Sequence, residues 1–144
     1  MGVSVKVEVN DKTQEYLTKA KKRIAIALSE IKDDIAQQAS INSPYDTGDL
    51  SRSFLSDSYV DIAEQTAYIG STKEYSIYQE FGTGEYAVND NGRKGGWSYQ
   101  DARGQWHKTI GVKPQRMLYR AIQSKKSQLP YKIKAAMEGT DFGD

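Results

Sequence analysis

The chain opens on strict alternation, with Val3, Val5, Val7 and Val9 separated by Ser4, Lys6 and Glu8. A two-residue period lays the four valines on one side of a pleat, so a half-buried strand is predicted over 3–9. The period then changes. Leu17, Ala20, Ile24, Ala27, Leu28, Ile31 and Ile35 recur at spacings of three and four and draw one apolar stripe along a helix. Asn10 or Asp11 caps its start, with Gln14 three residues after Asp11 as in a capping box. Pro44 bounds its end, because the residue before a proline avoids helical dihedrals. From Asp11 to about Ile41 such a helix would be roughly 45 Å long at ~1.5 Å per residue, against about 35–40 Å for the diameter of a compact monomer of this size. Part of it is expected to overhang and meet a neighbour. Ile26, on the charged side of the helix, is a candidate contact, and so is the acidic end formed by Glu30, Asp33 and Asp34.

After the helix, Pro44, Asp46 and Gly48 build a turn in Ser43-Pro-Tyr-Asp-Thr-Gly-Asp-Leu50. Leu50 to about Asp61 and Thr66 to Gly70 read as an antiparallel pair joined near Ala63-Glu-Gln65. Tyr75-Ser-Ile-Tyr-Gln-Glu-Phe81 concentrates three aromatics and an isoleucine; helical and strand periods both fit, and a short helix plugging its aromatic face into the core is the preferred reading. Gly82 stops it. Glu85–Gly96 has almost no apolar content and is expected to be a mobile loop. Trp97–Gln100 and Gln105–Thr109 flank Asp101–Gly104 as a hairpin, with Trp97 and Tyr99 paired across to Trp106 and His107 turned away. Pro114 suits the first turn of a further helix, with Met117, Leu118, Ala121 and Ile122 on its apolar side and Lys113, Arg116 and Arg120 opposite, within about 60° of one another. Pro130 ends or kinks it, Tyr131, Ile133 and Met137 continue a second segment, and a frayed tail follows from about 139. The expected fold is a single α+β domain over 1–144: a long N-terminal helix packed across an antiparallel β-sheet, with a short aromatic helix, a β-hairpin loop and a C-terminal helix.

Composition narrows the chemistry. The chain has no cysteine and a single histidine, His107, which removes disulfides, thiolate chemistry and multi-histidine metal sites within one chain. No run approaches the roughly 18 apolar residues of a membrane span. Asp46-Thr-Gly48 is shared with the catalytic loop of aspartic proteases, but occurs once and lacks the apolar strand that would bury it. A hydrolase using Asp46, Asp49 or Glu80 has no partner constellation, and neither Gly82-Thr-Gly84 nor Gly92-Arg-Lys-Gly-Gly96 meets a nucleotide-loop fingerprint. No catalytic residue, cofactor or metal is expected. The net charge of +1 conceals a segregation: 102–137 holds nine Lys or Arg and no carboxylate, whereas 1–101 holds 16 acidic and 11 basic side chains. Such asymmetry fits a nucleic-acid surface or copies packed basic end to acidic end.

Three blocks in this order resemble a known family: Ser43-Pro-Tyr-Asp-Thr-Gly-Asp-Leu-Ser-Arg-Ser53, Tyr75-Ser-Ile-Tyr-Gln-Glu-Phe-Gly-Thr83 and Gly111-Val-Lys-Pro-Gln-Arg-Met-Leu-Tyr-Arg-Ala121. They are similar to the small tail-component family of long-tailed double-stranded DNA phages, which includes tail-completion and tail-to-head joining proteins. The first block matches at Pro44, Asp46, Thr47, Gly48, Leu50 and Ser53, the second at Tyr75, Tyr78, Glu80, Phe81, Gly82 and Thr83, and the third at Pro114, Leu118 and Ala121. The third departs where Arg116 and Arg120 stand in place of the usual prolines and Met117 in place of phenylalanine. The resemblance covers roughly 10–137. It implies an α+β fold and a non-catalytic protein of the virion, assembled in the host cytoplasm as a six-subunit ring at the head–tail junction. Its expected partners are further copies, the head connector and the tail-tube or tail-terminator proteins, with DNA passing through the lumen and no membrane. The alternative is a nucleic-acid-binding module using 102–137, with Trp97, Tyr99 and Trp106 as stacking faces.

Overall fold

The computed structural model describes residues 3–4, 11–44 and 47–138. The strand predicted over 3–9 (all but Val3 and Ser4), Asp46 and the tail from Gly139 lie outside the described residues. The first helix, α1, runs Asp11–Asn42, one residue past its predicted end. Its buried stripe is Ala20, Ala27, Ile31, Ile35, Ala36 and Ala39. Alanines let other helices approach closely, and α1 packs on the next helix, on both C-terminal helices and on the first strand pair. Leu17, at the head of the predicted stripe, is exposed, and no residue of 12–19 is buried.

The segment predicted as a strand from Leu50 is instead a helix, α2 (Asp49–Asp57), and burial of Leu50, Ser53 and Phe54 gives it a helical period. The run Leu-Ser-Arg-Ser-Phe-Leu-Ser-Asp contains no β-branched residue and only one aromatic, Phe54, so little in it favours a pleat. Gly48, at φ 83, turns the chain into this helix in a left-handed conformation that costs a glycine little. Strand structure begins only at β1 (Tyr59–Asp61), antiparallel to β2 (Thr66–Tyr68), with Tyr59 opposite Tyr68. The connection falls at 62–65, as the sequence predicts.

Polar side chains bind α2 to the chain beyond β2. Ser53 Oγ lies 2.6 Å from Ser71 Oγ. Ser58 Oγ donates to the Phe54 carbonyl at 2.6 Å and accepts the Gly70 amide at 3.1 Å. Asp57 accepts the amide and hydroxyl of Thr72 at 2.9 and 2.8 Å, and these bonds hold its pKa below the usual carboxylate value.

The remaining elements are α3 (Ser76–Phe81), a 3₁₀ turn at Gly84–Tyr86, β3 (Trp97–Gln100), β4 (Trp106–Thr109), α4 (Met117–Lys125), a second 3₁₀ turn at Lys126–Gln128 and α5 (Leu129–Glu138). Pro130 stands in the first turn of α5, where its missing amide costs nothing. The core is Ile31, Ile35, Ala39, Leu50, Phe54, Met117 and Ala121, flanked by Ile69, Leu118, Leu129 and Ile133. The fold is α+β, but the long helix crosses other helices, and the expected sheet is two separate two-stranded ribbons.

The second ribbon corrects a predicted pairing. Tyr99 stands opposite His107 and Gln100 opposite Trp106, so Trp106 lies on the other face from Trp97 and Tyr99. The cause is parity. Asp101 and Gln105 still bond across the turn, the Asp101 amide donating to the Gln105 carbonyl at 2.8 Å. This leaves an odd loop, 102–104, where the predicted loop was even, and one residue of register moves every side chain to the opposite face.

Candidate partner-docking groove

The second and third sequence blocks meet at the seam between α3 and α4, and the first joins them in the core, where Leu50 clusters with Met117 and Ala121. Helix α3 is only six residues long and buries none of its side chains. The aromatic plug is therefore a correction: the helix exists, but Tyr75, Ile77, Tyr78 and Phe81 are all exposed. Main-chain bonds hold it in place of burial. The Gln115 amide donates to the Gln79 carbonyl at 2.7 Å and the Arg116 amide to the Glu80 carbonyl at 3.3 Å. Thr83 bonds twice to Val112, its amide donating to the carbonyl and its Oγ1 accepting the amide, both at 2.9 Å. Here the chain packs backbone against backbone. A Cβ on Gly84 would lie 2.1 Å from the Ile110 carbonyl oxygen, so Gly82-Thr-Gly84 is a requirement of close approach as well as a helix stop.

Glu80 is the key of the seam. Its Oε2 accepts the amide of Leu118 at 2.9 Å and its Oε1 that of Tyr119 at 3.0 Å. A carboxylate from another helix thus satisfies two of the four orphan donors at the start of α4 and complements the positive end of its dipole. The other end of the arrangement is equally tied. Asn42 Nδ2 donates to the Met117 carbonyl and Arg120 Nη2 to the Asn42 carbonyl, each at 3.1 Å, which places a cation at the C-terminus of α1.

These contacts dissolve the predicted cation stripe. Helix α4 starts at Met117 and not near Pro114, so Lys113 and Arg116 precede it. Lys113 Nζ sits 5.6 Å from the Tyr86 ring. Arg120 caps α1. Arg116 has φ 52, a left-handed backbone uncommon for a residue with a side chain. Its guanidinium lies 4.3 Å from the Tyr119 ring centroid and 5.6 Å from that of Phe81. Between α3 and α4 this leaves an open groove of about 350 Å³, floored by Met117 and walled by Ile77, Phe81, Tyr119, Ile122 and Arg116. Four of these side chains are well exposed: Ile77 at 61%, Tyr119 at 49%, Phe81 at 44% and Ile122 at 37%. A mainly apolar groove whose charged lining is Arg116 and the helix-capping Glu80 suits a protein partner.

Most signature residues build the scaffold. Leu50, Ser53 and Ala121 are buried, Leu118 and Pro114 half-buried, and Thr47 Oγ1 accepts the Asp49 amide at 3.3 Å. Pro44, Tyr75 and Tyr78 are exposed. Sequence reasoning missed Ile77, Tyr119 and Ile122 as groove walls; the only available signal was that each is apolar on a segment too short to bury two faces. Of the candidate contacts on α1, Ile26 is 61% exposed and Glu30 is exposed. Asp33 lies 3.1 Å from Lys32, and Asp34 pairs with Lys132 of α5, so that carboxylate is engaged within its own chain. Among the described residues no cluster of three or more His, Cys, Asp or Glu could hold a metal ion, and no helix is long and apolar enough to cross a membrane.

No curated protein and no solved structure matches the chain. Residues 8–82 match the family described as "Bacteriophage HK97-gp10, putative tail-component". The matched span takes in α1, the Pro44–Ser53 block and α3 up to Gly82, while the third block lies beyond it. With half of its length matched, and with the first block and all of the second but Thr83 inside that match, this chain belongs to the HK97-gp10-like family of phage tail components.

Proposed function

We propose that the chain is a structural assembly protein of the head–tail junction, acting in tail completion or tail-to-head joining. It works by binding and not by catalysis. Copies of it form a ring around the DNA passage, six in number as the family resemblance implies, with the head connector and a tail-tube or tail-terminator protein as partners. The observation that carries this reading is the α3–α4 groove. The family's own aromatic segment is held rigidly by backbone bonds while Ile77 and Phe81 are left outside the core. A fold that stabilises a helix without burying its apolar face keeps that face for another molecule.

The test is assembly in the phage itself. Ile77→Asp combined with Tyr119→Ala leaves the core untouched and is expected to preserve the fold. Lysates carrying it should contain filled heads and finished tails that are not joined, as seen by electron microscopy. Joined, infectious particles at wild-type yield would overturn the groove as the docking site. A wild-type protein that stays monomeric at every concentration, with and without its head and tail partners, would overturn the ring.

A further inference from the structure

The two ribbons carry opposite chemistry. Between Arg52 and Lys73 the chain has Asp57, Asp61 and Glu64 and no cation. The β1–β2 ribbon lies in this stretch, packed on α1 with Val60 and Ala67 half-buried. Its outward face is built from aromatic rings and carboxylates. Tyr59 and Tyr68 stack with centroids 4.9 Å apart and are 56% and 43% exposed. Asp61 follows on the Tyr59 face, Glu64 accepts the Tyr68 hydroxyl at 3.2 Å, and Ile62 is 68% exposed at the turn.

The β3–β4 ribbon reverses each term. From Arg93 to Lys113 there are five cations and one carboxylate, Asp101. Asp101 is engaged internally, by His107 Nε2 at 2.7 Å and by the Arg103 and Gln105 amides at 2.9 Å. Trp106 is 70% exposed on the same face as Lys108, with Arg103 in the adjoining loop. Neither Arg103 nor Lys108 has an ion-pair partner among the described residues. The two strands pack chiefly on each other, and an isolated two-stranded ribbon is marginal in water.

We propose that the β3–β4 ribbon of one copy docks on the outward face of the β1–β2 ribbon of the next. Trp106 covers the Tyr59–Tyr68 stack and Ile62, while Arg103 and Lys108 face Asp61 and Glu64. Aromatic anchors ringed by complementary charge are what concentrate binding energy in protein interfaces. Duplex DNA is the weaker occupant, since it offers Trp106 no unstacked base and gives the acidic tyrosine face no role. The two patches differ, so the contact is heterologous: each copy gives one ribbon and receives one, the geometry that closes into rings. This rests on the ring reading above and names the surfaces that form it.

Charge reversal with complementation tests it. One variant carries Arg103→Glu and Lys108→Glu, the other Asp61→Lys and Glu64→Lys; none of the four is buried, and circular dichroism and melting check that each variant is folded, since the second loses the turn bond from the Glu64 amide to Asp61. By light scattering, each variant alone should need a roughly tenfold or greater concentration to assemble, since like charges now face each other. Mixed in equal amounts they should assemble again, because each reversed ribbon finds the other variant's reversed ribbon and each native ribbon the other's native one, and the mixed particles should contain the two in strict alternation and hence in even number. Trp106→Ser, which leaves charge unchanged, should weaken assembly as well. Variants that assemble like wild type, or a mixture that does not recover, overturn the ribbon contact while leaving the ring reading standing. A wild type that stays monomeric at every concentration, with and without its head and tail partners, overturns both. If the reversed ribbon assembles normally and loses only binding to a DNA duplex, nucleic acid is the occupant.

Discussion

The helical body and the surface arms of this protein use different alphabets. The core joining α1, α2 and α4 is made of alanine, isoleucine, leucine and methionine, and its single aromatic is Phe54. The chain has 15 aromatic residues, yet Phe54 is the only one buried among the described residues. The other rings of the described residues are not buried: they lie at α3, on α4, on the two ribbons and, for Tyr16, Tyr86 and Tyr131, on α1, the first 3₁₀ turn and α5. Aliphatic side chains fill a helical interior to high density, whereas rings with a polar edge serve at surfaces that are covered only part of the time. The difference separates what holds the monomer together from what it offers to others.

Substitution of one phenylalanine from each region sharpens that contrast most. Phe54→Ala opens a cavity among Leu50, Met117 and Ala121 and should cost about 3–5 kcal/mol, read from chemical denaturation. Phe81→Ala should change the same midpoint by only about 0.5 kcal/mol, with its effect on partner binding instead. Equal losses would erase the division between body and arm.

Glu80 tests the seam where the two regions meet. Glu80→Ala leaves the Leu118 and Tyr119 amides uncapped and should destabilise by about 0.5–2 kcal/mol. Amide exchange should accelerate at those two positions before it does in α1. Unchanged exchange there would show that α4 begins securely without α3.

Acid should loosen two carboxylate-held joints, one in each region. Asp101 in the β3–β4 loop is held below the ordinary carboxylate value, chiefly by its bond to His107 and then by the Gln105 amide. Asp57 is lowered by the bonds from Thr72. A depressed folded-state pKa contributes stability that is whole above the unfolded value, about 3.9 for Asp, and is lost as pH falls through the folded one. On titration below about pH 4, NMR signals of the 101–107 loop should therefore shift while those of Ile31, Ile35 and Ala39 stay in place. Asp101→Asn should flatten the loop's response.

The smallest expected effect on stability is at Arg116. Arg116→Gly relieves a left-handed conformation costing roughly 1–2 kcal/mol. It forfeits cation–π contacts of about 0.5–1 kcal/mol and adds freedom to the unfolded chain. The terms nearly cancel, so the denaturation midpoint should hardly move while docking at the groove weakens. A clear gain in stability with full docking would mean that the strained arginine serves no partner.

What could be read from the sequence depended on the length of the repeat. Seven apolar positions at helical spacing and a following proline placed α1 to within a residue. Over nine residues, α2 offered only Leu50, Ser53 and Phe54 to betray its period, and the Ser-rich run around them was mistaken for a strand. For α3 the error was of another kind. Ring-rich sequence was equated with inward direction, yet exposure of an apolar residue is ordinary and its burial is decided by what lies opposite. The cation stripe failed by three residues. Helical spacing holds only between residues inside the helix, and with a start at Met117 in place of Pro114 both Lys113 and Arg116 precede it. No spacing rule could have joined Glu80 to Leu118 and Tyr119, since that bond depends on two loops bringing separate helices to one point.

The glutamate bridge has a mechanical consequence. Glu80 grips the first turn of α4, Met117 in that turn is gripped by Asn42, and Asn42 ends the 32-residue helix α1. A load applied at the groove passes through two side chains into the longest rod in the structure. The groove therefore has a set width. If the groove is the docking site proposed above, a seated partner pulls on the whole subunit rather than on a pliable flap.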